Sequence, residues 1–171
     1  MPTLKPRAKA PDLEVQTLEG DTWNLSKQKP DAFTMIVFYR GVHCPICQKY
    51  LQDLDSKVGD FSSRGVDLIA VSGDDEGRAR KAKGEWDLKN VPIGYGLSTD
   101  SMRQWGLFVS NSVREGEPAQ FGEPGLFLIR PDGTVYYEAI NSAPFGRPQF
   151  AEVLKAVDFI KERNYPPRGE A

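Results

Sequence analysis

The chain has 171 residues and a net charge of −2, and 39% of its residues are hydrophobic. This length is typical of one domain, residues 1–171, that buries a real core. The charge gives no reason to expect nucleic acid or an anionic membrane as a partner, and no apolar run approaches the roughly 20 residues that span a bilayer. Residues 1–15 are basic without a following apolar stretch, so we expect no secretory signal and a cytoplasmic location.

Apolar residues recur with two different periods in the first half of the chain. Alternation around a Glu-Gly-Asp turn predicts an N-terminal β-hairpin, and continuous apolar runs predict strands buried on both faces. Recurrence at intervals of three and four predicts amphipathic helices. The predicted elements are the hairpin over 10–26, a strand over 33–39, a helix over 44–61, a strand over 65–73, and a charged surface helix over 74–88 that Ser72 or Asp74 would cap.

The second half continues the alternation of strands and helices. A short strand is predicted within 91–100, and a short helix follows over 100–107. Residues 109–125 are rich in Gly, Pro and Glu, which indicates an extended connection or hairpin loop. A Pro-Asp-Gly turn predicts a hairpin over 125–140. A final helix is predicted over 147–164, with frayed residues after it. Strands alternating with helices predict an α/β fold, and the late hairpin makes the sheet mixed.

The only two cysteines and the only histidine of the chain fall together in "RGVHCPIC". Pro45 suits the first position of a helix, which makes Cys44 the N-cap and places Cys47 in the first turn. Unpaired backbone N–H groups there favour a thiolate over a thiol. We expect Cys44 to lie at the mouth of the helix and Cys47 one turn deeper. Arg40 and His43 are candidates for further positive charge.

Three interpretations of the cysteine pair compete. Two small residues can simply fill a contact between helix and sheet. A zinc site of His43, Cys44 and Cys47 would need a fourth ligand, and the sequence has no other Cys or His to supply it. Reversible thiol–disulfide chemistry is favoured, because the Cys-x-x-Cys follows a predicted buried strand and opens a helix. We expect no bound cofactor and no metal, since this chemistry needs only sulfur.

With these residues in view, the chain resembles the peroxiredoxin-like branch of the thioredoxin-like superfamily, the alkyl hydroperoxide reductase/thiol-specific antioxidant family. The resemblance covers nearly the whole chain and is carried by "APDLEVQTLEGDTWNLS", "IVFYRGVHCPIC", "VDLIAVSGD" and "GLFLIRPDGTV". It implies a thioredoxin-like fold, with a central mixed β-sheet flanked by helices. It also implies a disulfide, oxidised thiol or hydroperoxide as substrate, a cellular thiol as reductant, and allows a homodimer.

The sequence departs from the family pattern at three positions. Peroxiredoxins carry Pro-x-x-x-Thr-x-x-Cys, and laid on this chain the family's peroxidatic cysteine falls on Cys47, its threonine on Cys44 and its proline on Arg40. A further family arginine falls on Pro124. Cysteine in place of threonine creates a thioredoxin-type dithiol, and Pro124 falls where thioredoxins have a cis-proline. The resemblance therefore implies a cis bond before Pro124, against the alternative of an ordinary proline at a strand start.

The resulting hypothesis is an oxidoreductase that cycles Cys44 and Cys47 between dithiol and disulfide. Cys44, the more exposed, would attack, and Cys47 would resolve the mixed disulfide. In a peroxidase the roles reverse, because peroxide oxidises Cys47 to a sulfenic acid and Cys44 condenses with it. A non-catalytic redox sensor or binding module is the third alternative.

Four other residues have a chemical and an ordinary interpretation. His43 could protonate a leaving thiolate or lower a thiol pKa, and Arg40 could hold an anionic substrate or a thiolate. Each could equally be a surface loop residue. Glu123 could relay protons, against an exposed loop carboxylate. Trp105 could line a substrate groove, although packing is the better expectation.

Overall fold

Nine strands and five α-helices make up residues 3–171, the part of the chain that this computed structural model describes. In chain order they are β1 (Glu14–Thr17), β2 (Thr22–Asn24), β3 (Phe33–Phe38), α1 (Pro45–Asp55), α2 (Val58–Ser63), β4 (Val66–Val71), α3 (Glu76–Glu85), β5 (Ile93–Tyr95), α4 (Thr99–Gln104), β6 (Val109–Asn111), β7 (Gln120–Gly122), β8 (Gly125–Ile129), β9 (Val135–Ile140) and α5 (Phe150–Arg163).

Seven strands form one mixed sheet in the order β2-β1-β5-β4-β3-β8-β9. The three central strands β3, β4 and β5 are parallel, and the flanking strands β1 and β8 run antiparallel to them. The predicted N-terminal hairpin is β1–β2, and the predicted late hairpin is β8–β9. Strands β6 and β7 pair as a separate hairpin within the predicted connection. The predicted α/β class and the mixed sheet are confirmed.

Two hydrophobic cores lie on the two faces of the sheet. On one face, the apolar sides of α1, α2, α3 and α5 pack around the two cysteines. On the other face, Trp105 is fully buried between Phe38 and Phe127, at ring-centroid distances of 5.4 and 4.9 Å. The packing interpretation of Trp105 is confirmed. Because β3 and β8 run between the cores, each of their residues is buried, as the continuous apolar runs predict.

The predicted helix over 44–61 is two helices, which is a correction to the sequence analysis. The Ser56 hydroxyl donates to the Asp53 carbonyl at 2.7 Å, and the Lys57 N–H turns back to the Leu54 carbonyl at 2.9 Å. These bonds end α1 in a tight turn. The apolar stripe continues across the break, because Phe61 of α2 is fully buried in the same core.

The cap of α3 and the end of the chain also differ from expectation. Asp75 caps α3, since its side chain accepts from the Arg78 N–H at 2.8 Å, and neither Ser72 nor Asp74 does so. After α5 the chain has no regular structure, but the first residues of this segment are held in place and are not frayed. The Tyr136 hydroxyl donates to the Tyr165 carbonyl at 2.7 Å, and Pro167 is buried.

The helices are short. The longest, α5, has 14 residues. Within residues 3–171, none has both the length and the apolar character to cross a lipid bilayer.

Candidate active site

The two cysteines lie at the start of α1, at the carboxyl end of β3. Cys44 is the N-cap with extended backbone, and Pro45 occupies the first turn, as predicted. The Cys47 backbone N–H donates to Cys44 Sγ at 3.2 Å, so a thiol fills the role usually taken by Ser, Thr or Asp. Both residues are free thiols, and they approach each other to 2.6 Å.

Both thiols are buried, which corrects the expectation that Cys44 is exposed. Cys44 is 1% exposed and Cys47 is 0% exposed. The reason is packing, because both cysteines belong to the core that lies between the sheet and the helices on this face. The exposed residues of the motif are instead Pro45 and Ile46.

The thiols differ in acidity. The pKa of Cys44 is lowered to about 6 by a hydrogen bond from the Cys47 side chain, then by the Cys47 backbone N–H, the Arg147 charge and the Arg40 side chain, against the opposing effect of burial. Burial raises the pKa of Cys47, and its hydrogen bond to Cys44 raises it further. The pair therefore holds one proton near neutral pH, on Cys47, and the negative charge lies on Cys44.

Arg147 is the cation closest to the dithiol, and the sequence analysis did not find it. Its Nη2 donates to Cys47 Sγ at 2.8 Å, and the residue is only 9% exposed. Its Nε and Nη1 are buried without a hydrogen-bond partner among residues 3–171. A buried guanidinium without a full set of partners favours any negative charge that develops beside it.

Tyr50 of α1 holds the segment that carries Arg147. The Tyr50 hydroxyl donates to the Pro148 carbonyl at 2.5 Å, and the Arg147 guanidinium lies 4.8 Å from the centre of the Tyr50 ring. The hydrogen bond and the cation–π contact tie the cation to the same helix as the cysteines. One turn of α1 thus presents the dithiol, and the next turn positions its counter-charge.

Pro124 is buried and directly precedes β8, and its peptide bond is trans. The expected cis bond is therefore wrong, and the residue matches the alternative of an ordinary proline at a strand start. Its carbonyl accepts from the Asn141 N–H at 3.0 Å, which continues the β8–β9 ladder. Pro124 lines a small cavity together with Tyr50 and Arg147. A guanidinium, the group that the family pattern places at residue 124, therefore lines this cavity from the loop before α5.

Arg40 and Glu123 form an ion pair in which the carboxylate is buried and the arginine is partly exposed. Arg40 Nε lies 3.1 Å from Glu123 Oε1, and its guanidinium lies 4.8 Å from the centre of the Phe121 ring. Glu123 is 3% exposed, so the interpretation as an exposed loop carboxylate is wrong. Its Oε2 accepts from the Ser110 hydroxyl at 2.7 Å.

His43 packs against the same Phe121 ring, at a centroid distance of 4.7 Å. Burial and the Arg40 charge lower the pKa of His43 below its ordinary value of 6.5. The ring is therefore neutral at pH 7, and it supplies no fixed positive charge to the thiols. A role in proton transfer stays a prediction.

The loop between β3 and α1 is anchored by Asp74, a buried residue after β4. Asp74 Oδ2 accepts from the Val42 N–H at 2.8 Å, and its Oδ1 accepts from Arg78 Nε at 3.2 Å. Gly41 has a φ of +142°, and a Cβ there would lie 2.6 Å from Asp74 Oδ1. Only glycine lets the loop approach this carboxylate so closely.

Comparison with known proteins places the chain in a family. The family model described as "AhpC/TSA family" matches residues 6–138.

The chain belongs to the AhpC/TSA family.

Individual relatives agree with this membership. The chain is 26% identical over 171 residues to 1-Cys peroxiredoxin B of Oryza sativa subsp. japonica, covering 94% of this chain and 74% of the relative. Among solved structures, a peroxiredoxin-like protein from Aquifex aeolicus superposes with a TM-score of 0.75 at 19% identity, over 94% of this chain and 90% of that one. A putative thiol:disulfide interchange protein DsbE from Chlorobium tepidum superposes with a TM-score of 0.67 at 20% identity, over 92% and 97%.

These matches confirm the family resemblance and the thioredoxin-like fold inferred from the sequence. The AhpC/TSA protein is a thiol-dependent oxidoreductase. Within the described residues, no group of three or more His, Cys, Asp or Glu side chains is arranged to hold a metal ion. The zinc alternative finds no fourth ligand there.

Sequence reasoning named Asp74 only as a helix cap, but it could have found the contact of this residue with the loop after β3. Asp74 follows β4, and the carboxyl ends of neighbouring parallel strands meet at one sheet edge, so an acidic residue there is expected near the loop after β3. Arg147 gives no such signal. It lies in a loop 100 residues from Cys47, and nothing in its local sequence connects it to the dithiol.

Proposed function

We propose that this AhpC/TSA protein is a thiol–disulfide oxidoreductase that cycles Cys44 and Cys47 between dithiol and disulfide. One observation carries the proposal: Cys44 Sγ accepts a hydrogen bond from the Cys47 backbone N–H at 3.2 Å, and the two cysteines approach each other to 2.6 Å. The pKa of Cys44, about 6, keeps it ionised at neutral pH. A thiolate whose pKa lies near ambient pH combines ionisation with nucleophilicity, and the second thiol is already in contact with it.

The reaction proceeds in two exchanges. The Cys44 thiolate attacks one sulfur of a substrate disulfide, which forms a mixed disulfide and releases the other sulfur as a thiolate. Cys47 then loses its proton and attacks Cys44 Sγ, which releases the second substrate thiolate. The substrate gains two electrons, and the protein is left with a Cys44–Cys47 disulfide. Two equivalents of a cellular thiol return it to the dithiol, and we propose the cytoplasm, with its reducing thiol pool, as the location.

Arg147 promotes the second exchange. Cys47 has a raised pKa and would otherwise resist ionisation. Once Cys44 is bonded to substrate and its negative charge is gone, the guanidinium 2.8 Å from Cys47 Sγ has that sulfur as its nearest anion. The same cation thus favours a thiolate first on Cys44 and then on Cys47.

Burial of Cys44 sets a condition on the first exchange. A substrate sulfur reaches Cys44 only when the residues that bury it move. We therefore expect attack on small or flexible disulfides to be faster than attack on rigid, buried ones.

A peroxidase is the second candidate, and the Arg147–Cys47 contact favours it. An ionised Cys47 would attack a hydroperoxide, giving a sulfenic acid on Cys47 and an alcohol. Cys44 would then condense with the sulfenic acid and release water. A hydroperoxide is smaller than a disulfide, so the burial of the site is less of an obstacle to it.

Single-cysteine variants separate the two candidates in stopped-flow assays. If Cys44 attacks a disulfide, Cys44→Ser abolishes disulfide reduction, whereas Cys47→Ser accumulates a mixed disulfide on Cys44. If Cys47 attacks peroxide, Cys44→Ser still consumes one equivalent, and Cys47→Ser consumes none.

The result that would overturn the proposed order is disulfide reduction that survives Cys44→Ser. Reversible oxidation of the wild-type dithiol without turnover by any reductant would instead support the non-catalytic sensor.

A further inference from the structure

A groove opens beside the dithiol, between α1 and the segment that precedes α5. Its volume is about 260 Å³. Ile46, one of the two residues between the cysteines of the motif, lines the groove from α1. Arg147 lines it from the other segment and donates to Cys47 Sγ at 2.8 Å. The groove is therefore joined to the dithiol through the motif itself and through one direct hydrogen bond.

The groove has an apolar surface on both of the segments that form it. Ile46 of α1 is 39% exposed, and Phe145 of the segment before α5 is 66% exposed. A single exposed apolar side chain is ordinary, but two that line one concavity next to a reactive group are typical of a binding site. Tyr50 adds an aromatic ring to the same lining.

The charge that this groove offers to a ligand is positive. Lys49 lines it, is exposed, and takes part in none of the ion pairs formed by residues 3–171. The lining carboxylate of Asp53 is paired with Lys57, one turn further along α1. The charge of Arg147 is already opposed by the thiolate of the dithiol. Lys49 is thus the cation left for a ligand.

We propose that this groove binds a carboxylate-bearing small disulfide, the carboxylate at Lys49 and the carbon chain between Ile46 and Phe145. The volume lies below the roughly 300–1,000 Å³ of sites for drug-sized ligands, which favours a small substrate. The inference rests on the proposed function, because it names the substrate class of that reaction. Lys49 acts on specificity and leaves the two exchanges of the dithiol as described above.

The test compares three small disulfides that differ in charge: 3,3′-dithiodipropionate (anionic), bis(2-hydroxyethyl) disulfide (neutral) and cystamine (cationic). Each is mixed with the reduced full chain at pH 7 and low ionic strength, and the second-order rate constant of dithiol oxidation is measured by quenched alkylation and mass spectrometry. Dividing each value by the rate constant of dithiothreitol with the same disulfide removes the difference in intrinsic reactivity.

We expect the normalised rate constants of the wild type to fall in the order anionic, neutral, cationic. In Lys49→Gln the ratio of the anionic to the neutral disulfide should fall about threefold, an effect of the size typical of an exposed ion pair. Lys81→Gln is the matched control, because it removes the same charge from an exposed position of α3, outside the groove. An unchanged ratio in Lys49→Gln overturns the proposal, and so does an equal fall in both lysine variants.

Binding is measured separately with two thioethers, which have no disulfide to reduce. We expect 3,3′-thiodipropionate to shift the NMR signals of the amides in 46–50 and 145–147, and neutral 2,2′-thiodiethanol to shift them less at equal concentration. Equal shifts with both thioethers, or none, overturn the proposal. A protein that binds 3,3′-thiodipropionate in this way but reduces none of the three disulfides fails the proposed function and retains the groove as a carboxylate site.

Discussion

Two helices of the molecule begin in equivalent places and have opposite chemical characters. Helix α1 follows β3 and α3 follows β4, and these strands are parallel neighbours. Each helix is capped by its N-cap side chain: Cys44 Sγ accepts from Cys47 N–H at 3.2 Å, and Asp75 Oδ1 accepts from Arg78 N–H at 2.8 Å. Asp75 is exposed and only caps, whereas Cys44 is buried next to a second thiol, which itself accepts a hydrogen bond from Arg147.

The difference shows that the helix end alone does not make the thiol reactive. A pKa of about 6 for Cys44 corresponds to roughly 3–4 kcal/mol of preference for the thiolate relative to an ordinary cysteine. The N-terminus of a helix supplies typically ~0.3–1 kcal/mol. Most of the preference therefore comes from what α3 lacks, which is a second thiol at the third helical position and the cations Arg147 and Arg40.

Removing Arg147 is expected to have the largest effect. In Arg147→Met the dithiol loses its nearest cation, and an opposite charge at this distance shifts a pKa by about 1–3 units. We expect alkylation of Cys44 at pH 5 to become at least tenfold slower. Arg130→Met is the control, because Arg130 also lies over a tyrosine ring, at 5.3 Å from Tyr136, but at the end of the sheet opposite to the dithiol, since the preceding Ile129 pairs with Thr34 at the start of β3. Equal alkylation rates in wild type and Arg147→Met would show that the helix end and the second thiol lower the pKa of Cys44 without this cation.

The second largest effect is expected at Gly41, in the loop between β3 and α1. In Gly41→Ala, a Cβ would lie 2.6 Å from Asp74 Oδ1 at a φ of +142°, so the loop must move. We expect the free energy of unfolding, measured with urea, to fall by about 2 kcal/mol. Gly84→Ala in α3 meets no atom within 4 Å, and it should instead stabilise the protein by up to ~1 kcal/mol. A loss of stability in both variants would contradict this account of Gly41.

The rate of Cys44 alkylation as a function of pH, in the wild-type protein, tests directly whether the start of α1 makes this thiol acidic. Thiolate forms as pH rises through the pKa of Cys44, so alkylation should be slow at pH 5, half-maximal near pH 6 and nearly maximal at pH 7. This rise amounts to about tenfold between pH 5 and 7. A midpoint near the ordinary thiol value of ~8.5 would contradict the acidity of Cys44.

The smallest effect is expected at α3. Asp75→Ala removes a cap that is worth about 1 kcal/mol of stability, which urea unfolding measures. The midpoint of Cys44 alkylation should not change, because Asp75 is exposed and caps a different helix. A shifted midpoint would mean that the two helix starts are coupled through the loop that contains Asp74.

Features that depend only on neighbouring residues could be predicted from the sequence. Cys44 as N-cap and Pro45 in the first turn follow from the preferences of three or four neighbouring positions. The apolar runs of β3 and β4 likewise identify buried strands without knowledge of their neighbours. The burial of Cys44 could not be obtained in this way, because it depends on which distant parts of the chain pack into the same core.

Contacts between residues that lie far apart in the chain could not be predicted from the sequence. Arg147 reaches Cys47 only because the segment before α5 crosses the end of β8 and is bonded to Tyr50. Pro124 and Arg147 line the same small cavity although they lie far apart in the sequence. Such non-local contacts have no period or motif in a single sequence.

The distance in sequence between Cys47 and Arg147 has a consequence for biosynthesis. A ribosome adds about 5–20 residues per second, so the 100 residues that separate them take on the order of 5–20 seconds to make. During that interval the nascent chain carries its thiols without their nearest cation. The thiols of the nascent chain are therefore less acidic, and less readily oxidised, until the segment that carries Arg147 packs against α1.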